Sequence, residues 1–215
     1  MSDSSNEKPR LLLASASPRR RELLGLLGVS FTVIVSRFNE DSLAHLQNGE
    51  EYVRQASEGK ANEVATRRSG FILGVDTDVV APNGRILGKP ENGDAARQML
   101  ALLSGQTHRV YSGITLIHAD APGQIRQRET RVVRTDVTFA PLPQAAIEAY
   151  VRTGEPLDKA GGYGIQGGAM PFVTRVDGDI SNVIGLPLWT VAEMLTAFGV
   201  PLWKPEEGRA GAAPQ

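Results

Sequence analysis

The 215-residue chain has no cysteine. Disulfides, thiolate metal sites and cysteine nucleophiles are therefore excluded. Histidine is scarce: His45, His108 and His118 are the only three. No two lie three to five residues apart, so the helical His-x-x-x-His metal pair is missing. A serine–histidine hydrolase is poorly supplied. Neither sign of charge dominates. Lys and Arg number 23 against 24 Asp and Glu, a net charge of −1. That speaks against a protein that coats duplex nucleic acid. Long apolar runs are also lacking. Leu11–Ala14 is too short for a signal-peptide core, and Arg19-Arg20-Arg21 follow too soon. Gly185–Trp203 is the longest candidate, but Pro187, Glu193 and Pro201 interrupt it. Within it Leu188, Val191, Ala192, Leu195 and Phe198 repeat at helical spacing, which predicts a buried amphipathic helix and no membrane span. These absences predict a cytoplasmic chain.

What is present reads as one α/β domain over 9–204, between flexible tails at 1–8 and 205–215. Leu11–Ala14 reads as a buried strand. Ser17 then caps a helix with Pro18 at its first position, and Gly28 stops it. Phe31–Val35 reads as a strand, Glu50–Arg68 as a long polar helix, and Phe71–Val75 as a buried strand ending in Asp76-Thr77-Asp78. Asp94 is expected to cap a helix that ends at Gly105. Arg109–Ile117 and Thr130–Phe139 flank the turn signal Asp120–Gly123, a β-hairpin. Pro143–Arg152 reads as a helix and Phe172–Val176 as a strand. Helices interleave with strands, but a hairpin lies among them, so a mixed sheet is expected.

Four segments can carry chemistry. In Ala14–Arg21 a strand gives way to a serine-rich loop and a helix start with three arginines. Cations there oppose the helix dipole unless an anion is bound. A phosphate would reverse that sign; a solvated basic patch is the plain alternative. Asp76 and Asp78 follow a buried strand, where α/β sheets place ligands; such acids hold a cation, polarise a water, or merely cap a turn. Lys60, Lys89 and Lys159 sit beside glycine or small residues and suit phosphate oxygens as point charges. Gly161–Gly168 holds five glycines in eight residues, with Gln166 among them. It is neither a dinucleotide fingerprint nor a Walker loop. A carboxamide there matches the donor–acceptor edge of uracil or thymine; a flexible loop is the plain alternative.

Taken in order, Leu13-Ala-Ser-Ala-Ser-Pro-Arg-Arg20, Gly74-Val-Asp-Thr77, Gly88-Lys-Pro90, Leu103-Ser-Gly105, Asp158-Lys-Ala-Gly161 through Gln166-Gly167, and Ser181-Asn-Val-Ile-Gly-Leu-Pro187 resemble the Maf family of nucleoside triphosphate pyrophosphatases, across about 10–200. The resemblance implies a mixed twisted sheet with flanking helices and two lobes around a cleft, like the inosine triphosphate pyrophosphatases. It implies hydrolysis of a nucleoside triphosphate to the monophosphate and pyrophosphate with a divalent cation, Mg or Mn, a house-cleaning role in the nucleotide pool. Asp76 falls on the proposed catalytic acid, and Glu40 and Asp76 on the expected metal ligands. Ser15, Arg19, Arg20, Lys60, Thr77, Lys89 and Gln166 fall on substrate-binding positions. The Tyr163-Gly-Ile-Gln-Gly167 form resembles the subfamily acting on dTTP and UTP. A homodimer is implied, and no stable nucleic-acid partner. Asp78 departs from the family's usual aliphatic residue, and Asn39-Glu40 from its commoner Asp-Glu pair. A non-catalytic nucleotide- or RNA-binding regulator is the alternative reading, but bare polyphosphate repels acids such as Asp76 and Glu40 unless a cation intervenes.

Overall fold

The computed structural model describes residues 11–203. The expected tails, and the outer ends of the expected 9–204 domain, lie outside the described residues. Within them the spine is an apolar strand of 11 residues, Gly70–Val80 (β3). It pairs antiparallel along its whole length with Thr107–Ala121 (β5). Leu11–Leu13 (β1) and Phe31–Val33 (β2) run parallel to it on the other side. Gln124–Phe139 (β6) forms the expected hairpin with β5, and Val173–Asp177 (β7) closes that edge. Ile86–Leu87 (β4) pairs with Val79 and Val80 of β3. The result is a mixed sheet of seven strands in the order β2-β1-β3-β5-β6-β7, with β4 set off that path.

This register leaves one stretch of β3 open on one side. β1 covers β3 only from Phe71 to Leu73, and β4 only at Val79 and Val80. Because β5 occupies the opposite edge throughout, Gly74–Asp78 has no strand on the β1 side among the described residues. The sequence alone predicts a strand over Phe71–Val75. The strand instead continues to Val80, because β5 supplies partners that local residues cannot reveal.

Among the described residues six α-helices cover the two faces: Pro18–Gly25 (α1), Gly49–Ala65 (α2), Gly93–Leu103 (α3), Gln144–Arg152 (α4), Ile180–Ile184 (α5) and Leu188–Ala197 (α6). Helix α2 lies against one face. It comes so close that a Cβ at Gly74 would overlap the Ser57 carbonyl, and one at Gly113 the Val53 carbonyl. Those two glycines are therefore fixed by packing. On the other face are two separate cores. Leu13, Leu73 and Leu116 lie opposite one another on three adjacent strands, fully buried under α1 and α6. Each such leucine contributes about 1.5–3 kcal/mol through burial. Val79, Val110 and Val137 pack under α3 and α4 in the second core. The boundary between these lobes falls near Thr77.

The helix starts follow capping chemistry, with two corrections. Ser17 caps α1 as expected, accepting from the Arg20 N–H. Asn92, not Asp94, caps α3: its side chain accepts from the Ala95 N–H at 2.9 Å, and Asp94 pairs with Arg97. Asn48 caps α2, which starts at Gly49. Among the described residues no helix is long and apolar enough to cross a membrane.

His108 lies fully buried in the second core, against the rings of Phe139 and Tyr163. Its Nε2 shares a hydrogen bond of 2.8 Å with the Tyr163 hydroxyl, and its buried Nδ1 has no partner among the described residues. Burial pushes its pKa from 6.5 down to about 4. Between those values the unfolded chain binds a proton that the folded chain refuses. The stability owed to neutral His108 is complete above pH 6.5 and drains away as pH falls toward 4. Thermal midpoints of the wild type should fall more steeply through that window than those of His108→Gln. Equal slopes would contradict it.

Candidate active site

The uncovered stretch of β3 opens onto a cleft of about 850 Å³ between the lobes. That is a size suited to a nucleotide-sized ligand. Ser15, Arg19, Arg20, Glu40, Lys60, Asp76, Thr77, Lys89 and Gln166 all line it. Arg21 does not; it is exposed on α1. The position, beyond the carboxyl ends of parallel β1 and β2, is where open α/β sheets bind ligands.

Strand alternation builds the acidic wall. Asp76 and Asp78 share the α2 face of β3, and Thr77 takes the other. Both aspartates are buried, at 6% and 7% exposure. Lys60 projects from α2 and donates to Asp76 Oδ1 at 2.6 Å, with Glu40 Oε1 at 3.0 Å. Glu40 begins a short 3-10 turn, Glu40–Leu43, which Asn39 caps by accepting from the Asp41 N–H. The Asn39 departure noted in the sequence thus serves the turn. Glu63 fixes the preceding loop by accepting from the Ser36 hydroxyl and the Arg37 N–H, while Arg67 hydrogen-bonds the same carboxylate and holds its pKa near 2. Burial, with Asp76 and Glu40 beside it, pushes the Asp78 carboxyl well above the usual range. Burial and the same acids raise the Tyr52 phenol, so it stays a neutral hydroxyl.

The floor is a brace around Arg20. Its guanidinium donates from Nε to the Gly185 carbonyl, from Nη1 to Ser15 Oγ and from Nη2 to Thr77 Oγ1, all at 3.0–3.1 Å. Thr77 Oγ1 also lies 2.7 Å from Ser112 Oγ. The sequence reading set Arg20 and Thr77 beside the substrate as binding groups. They are in the cleft wall, but their polar atoms are largely engaged by protein, because only folding brings Gly185 and Ser112 to them. Ser15 Oγ accepts from the Ser17 N–H and from Arg20, which leaves its hydroxyl proton to donate. Arg20→Ala would orphan several of these groups. It should lower stability by about 2–3 kcal/mol, read as the midpoint of urea unfolding. A change below about 0.5 kcal/mol, the range of ordinary surface substitutions, would contradict the brace.

The opposite wall is looser and cationic. Arg19 meets Asp158 at 3.4 Å in a pair whose side chains are 35% and 67% exposed. Such bridges are worth little, so an anion can take Arg19 over. Lys89 is exposed on the turn after β4, and Gln166 is exposed in the glycine-rich loop. Asp158, Glu155 and the Gly185 carbonyl were not singled out in the sequence. Each acts through a partner 13 to 165 positions away, a separation that carries no local signal.

The acids can be tested against a hard divalent cation. Among the described residues no three His, Asp or Glu converge as a complete cage. Carboxylate oxygens are nevertheless the donors Mg and Mn take, and Mg commonly uses one or two of them together with substrate phosphates. Asp76 and Glu40 add to the rise that burial imposes on the Asp78 carboxyl, and nearby positive charge relieves it. The donor set fits.

Fold and site together define an α/β protein with a cleft suited to a phosphorylated ligand, acids on one wall and solvent-accessible cations on the other. The chain belongs to the Maf family: the family described as Maf-like protein matches residues 10–198. It is similar to a dTTP/UTP pyrophosphatase of Moorella thermoacetica, 48% identical over 196 residues, covering 90% of this chain and 97% of that one. A dTTP/UTP pyrophosphatase of Symbiobacterium thermophilum is 44% identical, with 90% and 96% covered. One from Colwellia psychrerythraea is 44% identical, with 92% of each covered. Among solved structures, a HAM1 protein from Coxiella burnetii aligns at TM-score 0.49 and 14% identity, covering 88% of this chain and 99% of that one.

Proposed function

We propose that the chain hydrolyses pyrimidine nucleoside triphosphates, dTTP and UTP foremost, to the monophosphate and pyrophosphate. The observation that carries this reading is the Lys60–Asp76–Glu40 cluster facing Arg19, Lys89 and Gln166 across one cleft. The names of the family relatives support it. A pure nucleotide binder has no use for the buried acids. A cytoplasmic setting and a house-cleaning role belong to the same reading.

Arg19 and Lys89 bind the triphosphate, with the Ser15 hydroxyl as a further donor. A divalent cation, held by Asp76 and Glu40, supplies charge neutralisation and Lewis acidity when bound. Of the two Asp76 oxygens, Oδ1 is tied to Lys60, so Oδ2 is the one open either to the cation or, in its place, to the proton of the attacking water. The water oxygen bonds to the α-phosphorus, the bond from that phosphorus to the bridging oxygen breaks, and pyrophosphate leaves with its electron pair. Lys60 orients the carboxylate. Most of the rate gain is positioning and electrostatic stabilisation.

Arg19→Ala and Lys89→Ala should each lower kcat/KM for dTTP by the equivalent of about 1.5–3 kcal/mol. Melting should stay near wild type, since neither side chain is held by a strong contact. Unchanged kinetics with a lower melting point would instead make them structural. The function itself is tested by pyrophosphate release across dTTP, UTP, CTP, ATP and GTP. Release from dTTP and UTP well above the rest is expected, and none from any substrate would overturn the reading.

A further inference from the structure

The glycine-rich loop is wrapped around a carboxylate. Gly154 turns the chain out of α4 with φ of 76°, and Glu155 then points back toward the loop. Its Oε2 accepts the Gly168 N–H at 2.9 Å, and its Oε1 accepts the Tyr150 hydroxyl at 3.1 Å. The Tyr150 oxygen in turn accepts the Gly164 N–H at 3.1 Å. Both ends of the segment Gly164–Gly168 are thus tied to one pair of side chains. A turn closes between them, with the Gly167 N–H donating to the Gly164 carbonyl at 3.0 Å. Gln166 sits on that turn.

Glycine content follows from this arrangement. A Cβ at Gly167 would overlap the Glu155 carboxylate, one at Gly164 would come within 2.9 Å of Oε1, and one at Gly168 within 3.2 Å of Oε2. The sequence reading had these glycines admit a ligand or a neighbouring chain. They admit Glu155. Tyr150 is buried, its ring packed edge-on to Phe172 at 5.3 Å. The latch is therefore anchored in the second core, and the backbone of Gln166 is fixed relative to α4.

We propose that Glu155 and Tyr150 are positioning residues for base selectivity: they hold the Gly164–Gly168 turn so that the Gln166 carboxamide meets the pyrimidine edge in one orientation. The inference rests on the reading of Gln166 as the base-facing group. A carboxamide can pair with thymine or, rotated, with cytosine, so discrimination requires a held backbone. Glu155 lines the cleft and Tyr150 does not, and the side chains of both are engaged by the loop.

The experiment compares kcat/KM for dTTP and dCTP, which share sugar and phosphates, in the wild type and in Glu155→Gln, Tyr150→Phe, Gln166→Leu and Glu155→Gln/Gln166→Leu. The amide of Glu155→Gln offers one acceptor where two are used, and Tyr150→Phe keeps the packed ring while removing the hydroxyl. Each latch variant should lower the dTTP-to-dCTP ratio about tenfold. In the Gln166→Leu background Glu155→Gln should change that ratio no further, because the two act as a unit. If Gln166→Leu collapses the ratio but both latch variants retain it, even with lowered melting points, the latch is overturned and the base reading stands. If Gln166→Leu leaves the ratio at the wild-type value, the base reading falls and the latch proposal with it.

Discussion

Asp76→Asn should lower kcat by about 10²–10⁴, the span typical of a lost general base, while the protein stays folded. Asparagine keeps the size of the side chain and an oxygen for the Lys60 contact, which is 2.6 Å in the wild type. It removes the charge that takes the proton and helps hold a cation. The same change should relieve Asp78, whose carboxyl is driven up by burial first and by Asp76 next. The melting point should therefore hold or rise as turnover collapses. Wild-type turnover by the variant at saturating Mg would remove Asp76 from the chemistry. A collapse of both turnover and melting would make it a structural acid.

The second large effect is expected at Gln166. Uracil and thymine present O4 as an acceptor and N3–H as a donor, and one carboxamide answers both. Gln166→Leu leaves those two groups unanswered and should lower kcat/KM for dTTP and UTP by about 100-fold. CTP and the purine triphosphates, poor substrates from the start, should change far less. A site built on hydrogen bonds rejects mismatched ligands much better than an apolar slot does. A uniform loss across all triphosphates would place Gln166 at the phosphates or in folding, and a wild-type preference for GTP would contradict the assignment outright.

The residues of this cleft were legible in the sequence to an unusual degree, but their connections were not. Ser17-Pro18 announced the start of α1 because capping is local, and Asp120–Gly123 announced the β5–β6 hairpin for the same reason. Asp94 was mistaken for a cap because an acid in the first turn and a true cap look alike until Asn92 is seen to accept from Ala95. β3 was ended too early because Asp76 and Asp78 are poor strand residues, and β5 overrides that preference. Nothing local to Arg20 shows that its guanidinium goes to Gly185 and Thr77. Glycine clustering at 161–168 was visible, but the carboxylate it encloses comes from a separate turn. Local rules place residues on elements; the sheet decides which of them meet.

The proposed reaction sends water to the α-phosphorus of a pyrimidine triphosphate. Hydrolysis of dTTP in water enriched in oxygen-18, with mass analysis of both products, locates the bond that water forms. Attack at the α-phosphorus yields dTMP carrying one heavy oxygen and unlabelled pyrophosphate. Label in the pyrophosphate, or dTDP with labelled orthophosphate, would place the attack elsewhere and overturn the proposed reaction.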